Sequence, residues 1–294
     1  MKQTNKQITI AVASGKGGTG KTFVSTNVFE TLRRQGKRVI LVDCDAEVPN
    51  ARGFFSFQKV SEEDVLEYRP VFNADQCVFC DACVEYCEFN AIFYVPKLSR
   101  IQLLSNLCQG CGACAMACDQ DEIADGVTIV GKISVWEEKG QVCFVEGKMN
   151  EGQMSAVPTI KQTLKTAFAQ DTDYVIVDAA PGASCPFIQT SSRVDFVLLV
   201  TEPTPFGLSD LRQAVESLRR IGKPFGVIIN RAGLGNRDVY QYLQEENIHL
   251  WAEIPFDRAI AKRYSEGRLQ TEADTSIAGV FEQLANNITH TIWK

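Results

Sequence analysis

The sequence predicts an α/β fold, a doubly wound and mostly parallel sheet. Three observations carry that expectation. Short apolar runs recur along the 294-residue chain and alternate with stretches of helical period. A glycine-rich loop joins the first run to the first helical stretch. One block breaks the alternation: between residues 71 and 125 the helical periods vanish and cysteines crowd together. That block is expected to be a small inserted α+β domain, with the sheet domain split into residues 1–70 and 126–294.

Composition bounds the function. Hydrophobic residues make up 45% of the chain, enough for a substantial core. Thirty basic against 36 acidic residues give a net charge of −6, and no long basic run occurs. This argues against nonspecific binding to nucleic acid or anionic lipid. No stretch approaches the length of a membrane span. Met1 to Gln7 leads into no secretory h-region, so a cytoplasmic location is expected. Eleven cysteines in that setting mean metal ligation before disulfides.

Ile8 to Ala13 reads as a buried strand, and Lys21 to Gln35 as a helix. Between them lies Ser14-Gly15-Lys16-Gly17-Gly18-Thr19-Gly20-Lys21-Thr22, in which Gly15, Gly20, Lys21 and Thr22 satisfy the phosphate-loop pattern. Several backbone N–H groups must point at one anion, and side chains would obstruct them, so glycines cluster. The helix start adds its positive dipole end. Lys21 supplies a point charge to the outer phosphates, and the Thr22 hydroxyl suits Mg²⁺. A plain glycine-rich turn is the competing reading, and the flanking strand and helix disfavour it. Lys16 has no use in an ordinary loop of this kind.

Arg38 to Val42 reads as a second buried strand that ends in Asp43-Cys44-Asp45. Carboxylates there face the ligand edge of an α/β sheet. Asp43 and Asp45 alternate, so they point to different places. An ordinary acidic strand exit is the alternative.

The inserted block contains Cys77-x₂-Cys80-x₂-Cys83-x₃-Cys87 and then Cys108-x₂-Cys111-x₂-Cys114-x₃-Cys118. This is the spacing of a bacterial ferredoxin, written twice. Three close cysteines wrap one corner of a cubane, and the fourth reaches the neighbouring one. By this rule one [4Fe-4S] cluster takes Cys77, Cys80, Cys83 and Cys118, and the other takes Cys108, Cys111, Cys114 and Cys87. Zinc would use pairs of Cys-x₂-Cys and needs no triplet plus a fourth. Glu88 and Asp119 follow the fourth cysteines, where ferredoxins usually carry proline. Carboxylates there lower the reduction potential.

Residues 126–146 alternate like an antiparallel hairpin set that returns the chain to the main sheet. Pro158 to Phe168 has helical period. Tyr174 to Val177 ends in Asp178, a strand suited to orient Mg²⁺, and Pro181-Gly182 makes a turn beyond it. Asp195 to Val200 is a strand that ends in Thr201-Glu202-Pro203-Thr204, and helix Gly207 to Ile221 follows. Phe225 to Ile229 ends in Asn230-Arg231, where Asn230 either meets a base or makes an Asn turn. A helix over 236–247, a strand over 250–254 and two terminal helices complete the chain.

Together these residues resemble the deviant Walker A ATPases of the MinD/ParA/Mrp class, which includes the nitrogenase iron protein, with a two-cluster ferredoxin-like domain inserted after the second strand. The resemblance rests on Gly15 to Thr22, Asp43 with Asp45, Asp178 to Gly182 and Glu202-Pro203-Thr204. It implies a P-loop NTPase fold, ATP and Mg²⁺ as ligands, and a dimer of like or similar chains. Lys16 is then the lysine that reaches the nucleotide of the other subunit and neutralises transition-state charge. Asp45 orients the attacking water, Asp43 lies near Mg²⁺, Asp178 holds Mg²⁺ through water, and Asn230 reads adenine. No Asn-Lys-x-Asp guanine motif appears.

Cys44 and Cys143 are expected to pack as small hydrophobes. Cys185 lies seven residues after Asp178, where the iron protein has a bridging-cluster cysteine; a packed thiol is the alternative. The expected function is an ATPase whose dimer rearrangement is coupled to electron transfer through two [4Fe-4S] clusters to a redox partner. An iron–sulfur assembly or carrier ATPase is the alternative, disfavoured by the lack of a cysteine after Cys185. Positioning on a membrane needs a basic amphipathic terminal helix, and Phe281 to Lys294 has an apolar face but only one cation.

Overall fold

The structure is a computed structural model that describes residues 7–272 and 276–291. Residues 1–6, most of the start read as no secretory signal, lie outside the described residues, as do 273–275 and the last three of the terminal apolar stretch, 292–294. The first elements are β1 (Ile8–Ala13), α1 (Lys21–Arg34), β2 (Val39–Asp43) and β3 (Gln58–Phe72). The cysteine block follows as α2 (Ala82–Glu85), β4 (Ile92–Val95), β5 (Arg100–Leu103) and α3 (Ala113–Met116). Then come β6 (Ile123–Glu138), β7 (Gln141–Met149), α4 (Val157–Phe168), β8 (Tyr174–Asp178), α5 (Cys185–Ser191) and β9 (Phe196–Thr201). The remainder is α6 (Pro205–Arg220), β10 (Phe225–Ala232), α7 (Asp238–Glu245), β11 (Leu250–Pro255), α8 (Arg258–Ser265) and α9 (Ser276–Thr291).

Nine strands form one sheet in the order β11-β10-β9-β1-β8-β2-β7-β6-β3. From β11 to β7 every neighbour is parallel. Only β6 runs the other way, paired antiparallel to β7 and to β3. The sheet is therefore mostly parallel, as expected. Its central strands are fully buried and read as unbroken apolar runs because helices cover both faces. Along β1, Ile8, Ile10 and Val12 face the α1 and α9 layer, with Phe29, Phe281 and Leu284. Ala11 and Ala13 face the opposite layer with Ile160, Phe187 and Leu218.

The hairpin set expected over 126–146 is β6 and β7, and β7 does rejoin the main sheet beside β2. The long edge strand β3 is an addition that the sequence did not suggest. Its residues Gln58 to Asp64 are all exposed and mostly polar, so no hydrophobic alternation marks them. Asp43, Glu146, Ser134 and Glu62 stand level across β2, β7, β6 and β3. Beyond Glu62, β3 continues for ten residues to Phe72, still paired with β6. β7 stays alongside as far as Met149, level with Gly131 and Val65; from Leu66 on, a two-stranded ribbon leaves the sheet on the edge where β1, β2 and β8 end, and it carries the cysteine block.

Candidate functional site

The glycine-rich loop opens α1 with little obstruction. Gly20 is the N-cap of α1 in the left-handed region, with φ 100°, and no side chain caps the helix. The orphan N–H groups of the first turn are thus left for a ligand. Two glycines are required by neighbours. A Cβ on Gly15 would strike the Asp210 carbonyl, and one on Gly20 would strike the Asn230 amide. Gly17 and Gly18 border open space, and Gly18 has φ 78°. Lys21 and Thr22 are both buried at 6% exposure.

Thr22 Oγ1 donates to Asp178 Oδ2 at 2.6 Å. The other oxygen, Asp178 Oδ1, is buried with no hydrogen-bond partner, and so is Thr19 Oγ1. Burial lifts the Asp178 carboxyl to about 6, against the pull of Lys21 and the Thr22 bond. Such orphaned polar groups are costly unless a ligand satisfies them. They fit a Mg²⁺–phosphate group bound at this loop. Asp45 Oδ2 stands 3.8 Å from Lys21 Nζ. Burial raises its carboxyl as well, with Lys21 opposing.

Asp43 stands beside Asp178 on the neighbouring strand. It is fully buried, and its oxygens accept from Asp45 N at 3.1 Å and from Asn50 N and Ala51 N at 2.9 Å each. Both oxygens hold the backbone of the loop over 45–51. Burial, with the nearby Asp178 charge, pushes its carboxyl well above the usual range. Asp43 is a brace for the loop that carries Asp45.

Lys16 also has a partner inside its own chain. Its Nζ stands 2.8 Å from Glu202 Oε1. Arg231 Nη1 takes the other oxygen of Glu202 at 2.8 Å, and Arg231 Nη2 donates to the Gly18 carbonyl at 3.1 Å. Glu202 is thus a half-buried counter-ion that gathers Lys16 and Arg231 at the loop, a role that its position after β9 did not reveal. Asn230 Nδ2 donates to Thr19 O at 2.7 Å, and Asn230 Oδ1 accepts from Arg231 N at 2.9 Å. Its amide is first a clamp on the loop, with one N–H left over for a base. Beside it lies a pocket whose apolar walls are Phe23, Pro255, Phe256, Ile260 and Tyr264, with Gly18 and Gly20 at the mouth. These wall residues come from α1, the end of β11, the connection after it and α8, which no motif joins.

The cysteines ring two further pockets. One is lined by Cys77, Cys80, Cys83 and Cys118, the other by Cys87, Cys108, Cys111 and Cys114. Each set takes its fourth member from the other half of the repeat. Among the described residues, no three His, Cys, Asp or Glu side chains converge on a single metal ion. Four thiols line each pocket. Cys44 and Cys143 are buried in the two core layers, as expected. Cys185 is exposed at the start of α5, so it is not the packed thiol of that alternative.

No helix among the described residues is long and apolar enough to cross a membrane. An uncharacterised protein of Methanocaldococcus jannaschii is 28% identical over 98% of this chain and 99% of its own. A Pseudomonas fragi protein named as an iron-sulfur cluster carrier is 23% identical over 94% of this chain and 83% of its own. In architecture the chain is similar to the septum site-determining protein MinD of Pyrococcus horikoshii, solved with Mg-ADP. The TM-score is 0.59 and the identity 20%, over 97% of both chains. Residues 10–270 match the model of the CobQ/CobB/MinD/ParA nucleotide binding domain. With its phosphate loop, orphaned Asp178 oxygen and parallel sheet all in place, the chain belongs to the CobQ/CobB/MinD/ParA nucleotide-binding family.

Proposed function

We propose that the protein is an ATP-hydrolysing iron–sulfur protein in which nucleotide-driven dimer rearrangement acts on two [4Fe-4S] clusters. One observation carries this reading: a phosphate loop and two pockets of four cysteines each belong to one chain, the loop following β1 and the pockets carried by the ribbon that leaves the same sheet edge. The bound clusters supply one-electron redox chemistry.

The nucleotide half follows from the loop. The amides of Gly15 to Thr22 and the Lys21 ammonium hold the phosphates of ATP. Thr22 and Asp178 hold Mg²⁺, directly or through water. Asp45, half-buried and close to Lys21, orients the attacking water. Lys16 leaves Glu202 and reaches the nucleotide of a second subunit, where its charge is of use only in the transition state. Arg231 keeps Glu202 partnered when Lys16 moves.

Two fates for the clusters are open to test. Electron transfer to a redox partner is favoured by ligation within one chain: four cysteines per pocket leave no ligand position for a receiving protein. Cluster delivery is favoured by the carrier name of the Pseudomonas relative. Anaerobic redox titration with and without Mg-ATP separates them. A midpoint potential or electron-transfer rate that moves with ATP in the wild type, and stays put in Lys16→Ala, supports electron transfer. Equal potentials and rates, with iron appearing in an apo-target, establish the carrier reading instead.

A further inference from the structure

We propose that Arg69 makes the two cysteine pockets unequal, holding the cluster of the Cys87, Cys108, Cys111 and Cys114 pocket at a higher reduction potential than its twin. The inference rests on the two-cluster reading above. The ribbon itself orders the pockets. The Cys108 pocket reaches β3 at Pro70 and lies nearer the sheet, whereas the Cys77 pocket is lined by Phe72, Asn73 and Ile123 at the ribbon's end.

Arg69 sits on β3 beside the nearer pocket and is only 9% exposed. Its Nη1 pairs with Glu67 Oε2 at 2.6 Å and donates to Tyr68 O at 3.0 Å. Its Nε–H is buried with no partner. The ligand loop from Cys108 to Cys111 lies against it. Gly110 has φ 62°, and a Cβ there would be 2.9 Å from Tyr68 O and 3.3 Å from Arg69 Nη1. A guanidinium is therefore locked beside the loop that supplies two thiolates, with its buried Nε–H unspent.

The backbone adds a second asymmetry. Phe79 N donates to Cys77 Sγ and Gly110 N to Cys108 Sγ, each at 3.4 Å, so the repeat is equal there. Ala91 N also donates to Cys87 Sγ at 3.3 Å, and no such bond reaches Cys118 among the described residues. Neither pocket is lined by a cation, and only the farther one is lined by carboxylates, Asp81 and Glu122. Reduction adds negative charge to a cluster. Nearby donors and cations favour it, and carboxylates oppose it. Apart from Glu67, which opposes Arg69, these differences act in one direction, and removal of either charge of that pair must move the same cluster in opposite directions.

The test is an anaerobic redox titration followed by electron paramagnetic resonance on the full chain, after iron has been counted. Eight irons and two resolved waves are expected. Arg69→Gln lowers the higher wave by at least a tenfold change in its reduction equilibrium, which is 59 mV for one electron, and leaves the lower wave in place. Arg69→Lys keeps most of the shift, and Glu67→Gln raises the same wave. Cys111→Ser perturbs that wave and so identifies its pocket. Eight irons with one unresolved wave, or a wave indifferent to both charge variants, overturn the inference alone. Well under eight irons per chain in fully reconstituted protein overturns the two-cluster reading and this inference together.

Discussion

Lys16 and Glu202 form an ion pair at the mouth of the phosphate loop, and its small worth is what makes it useful. Both groups are partly exposed, and a pair of this kind contributes on the order of 0.5 kcal/mol. A nucleotide across a dimer interface easily outbids it. Lys16→Ala is expected to lower ATP turnover about 10³-fold, the lower end of what a finger cation supplies, with nucleotide affinity little changed; phosphate release and equilibrium binding measured side by side check this. Asp178 gives a second expectation. Its carboxyl titrates near 6 in the folded chain against an ordinary 3.8, so the folded state holds the proton more readily. Its contribution to stability is complete below about pH 4 and is lost as the pH rises through about 6. Asp178→Asn should abolish that loss and raise the melting temperature of nucleotide-free protein at neutral pH, while Mg-ATP no longer stabilises it. Melting curves across this range decide it; a variant that melts lower at neutral pH contradicts it. At this scale the sequence spoke unevenly. Lys21, Thr22 and Asp178 were legible because a phosphate loop demands their types at fixed offsets. The bracing role of Asp43 was not, because it depends on how the loop over 45–51 folds back onto β2.

The ribbon of β3 and β6 is the element that sets this chain apart from a plain parallel sheet. Its register is fixed by a bulge between Val65 and Leu66 and by close packing at Gly131, where a Cβ would meet Thr159 Oγ1 and Lys148 O. Gly110 is the matching point on the cysteine side. Gly110→Ala would force a left-handed residue to carry a Cβ into the ribbon backbone. The expected result is loss of about half of the bound iron, since only the nearer pocket is touched, with ATP turnover retained. Iron and phosphate assays on the same preparation test it, and full iron retention would refute it. The grouping of the cysteines into two sets of four was legible because their spacing is a short-range pattern. The strand β3 could not, because an edge strand with a solvated face needs no apolar alternation. Glu62, Glu63 and Asp64 hide it among loop-like residues.

Across the whole molecule, the nucleotide site and both cysteine pockets depend on a single sheet edge. The sheet order was legible in outline, because apolar runs with helices between them leave few topologies open. The pocket beside Asn230 was not, since Phe23, Phe256 and Tyr264 meet only in the folded chain. Mg-ATP is expected to convert the protein from monomer to dimer, and Lys16→Ala or Asp178→Asn should not dimerise. Light scattering with ATP, ADP and no nucleotide measures this; a mass independent of nucleotide in the wild type removes dimer rearrangement from the mechanism. The ribbon gives such a rearrangement reach. Seven residues, Leu66 to Phe72, run on past the end of β7 and amount to about 23 Å of two-stranded arm. A tilt of about 10° at the base of an arm that long sweeps its end through about 4 Å. Nucleotide chemistry works over fractions of an ångström. The ribbon would act as a lever that turns a small shift at its base into several ångströms at its cysteine-bearing end.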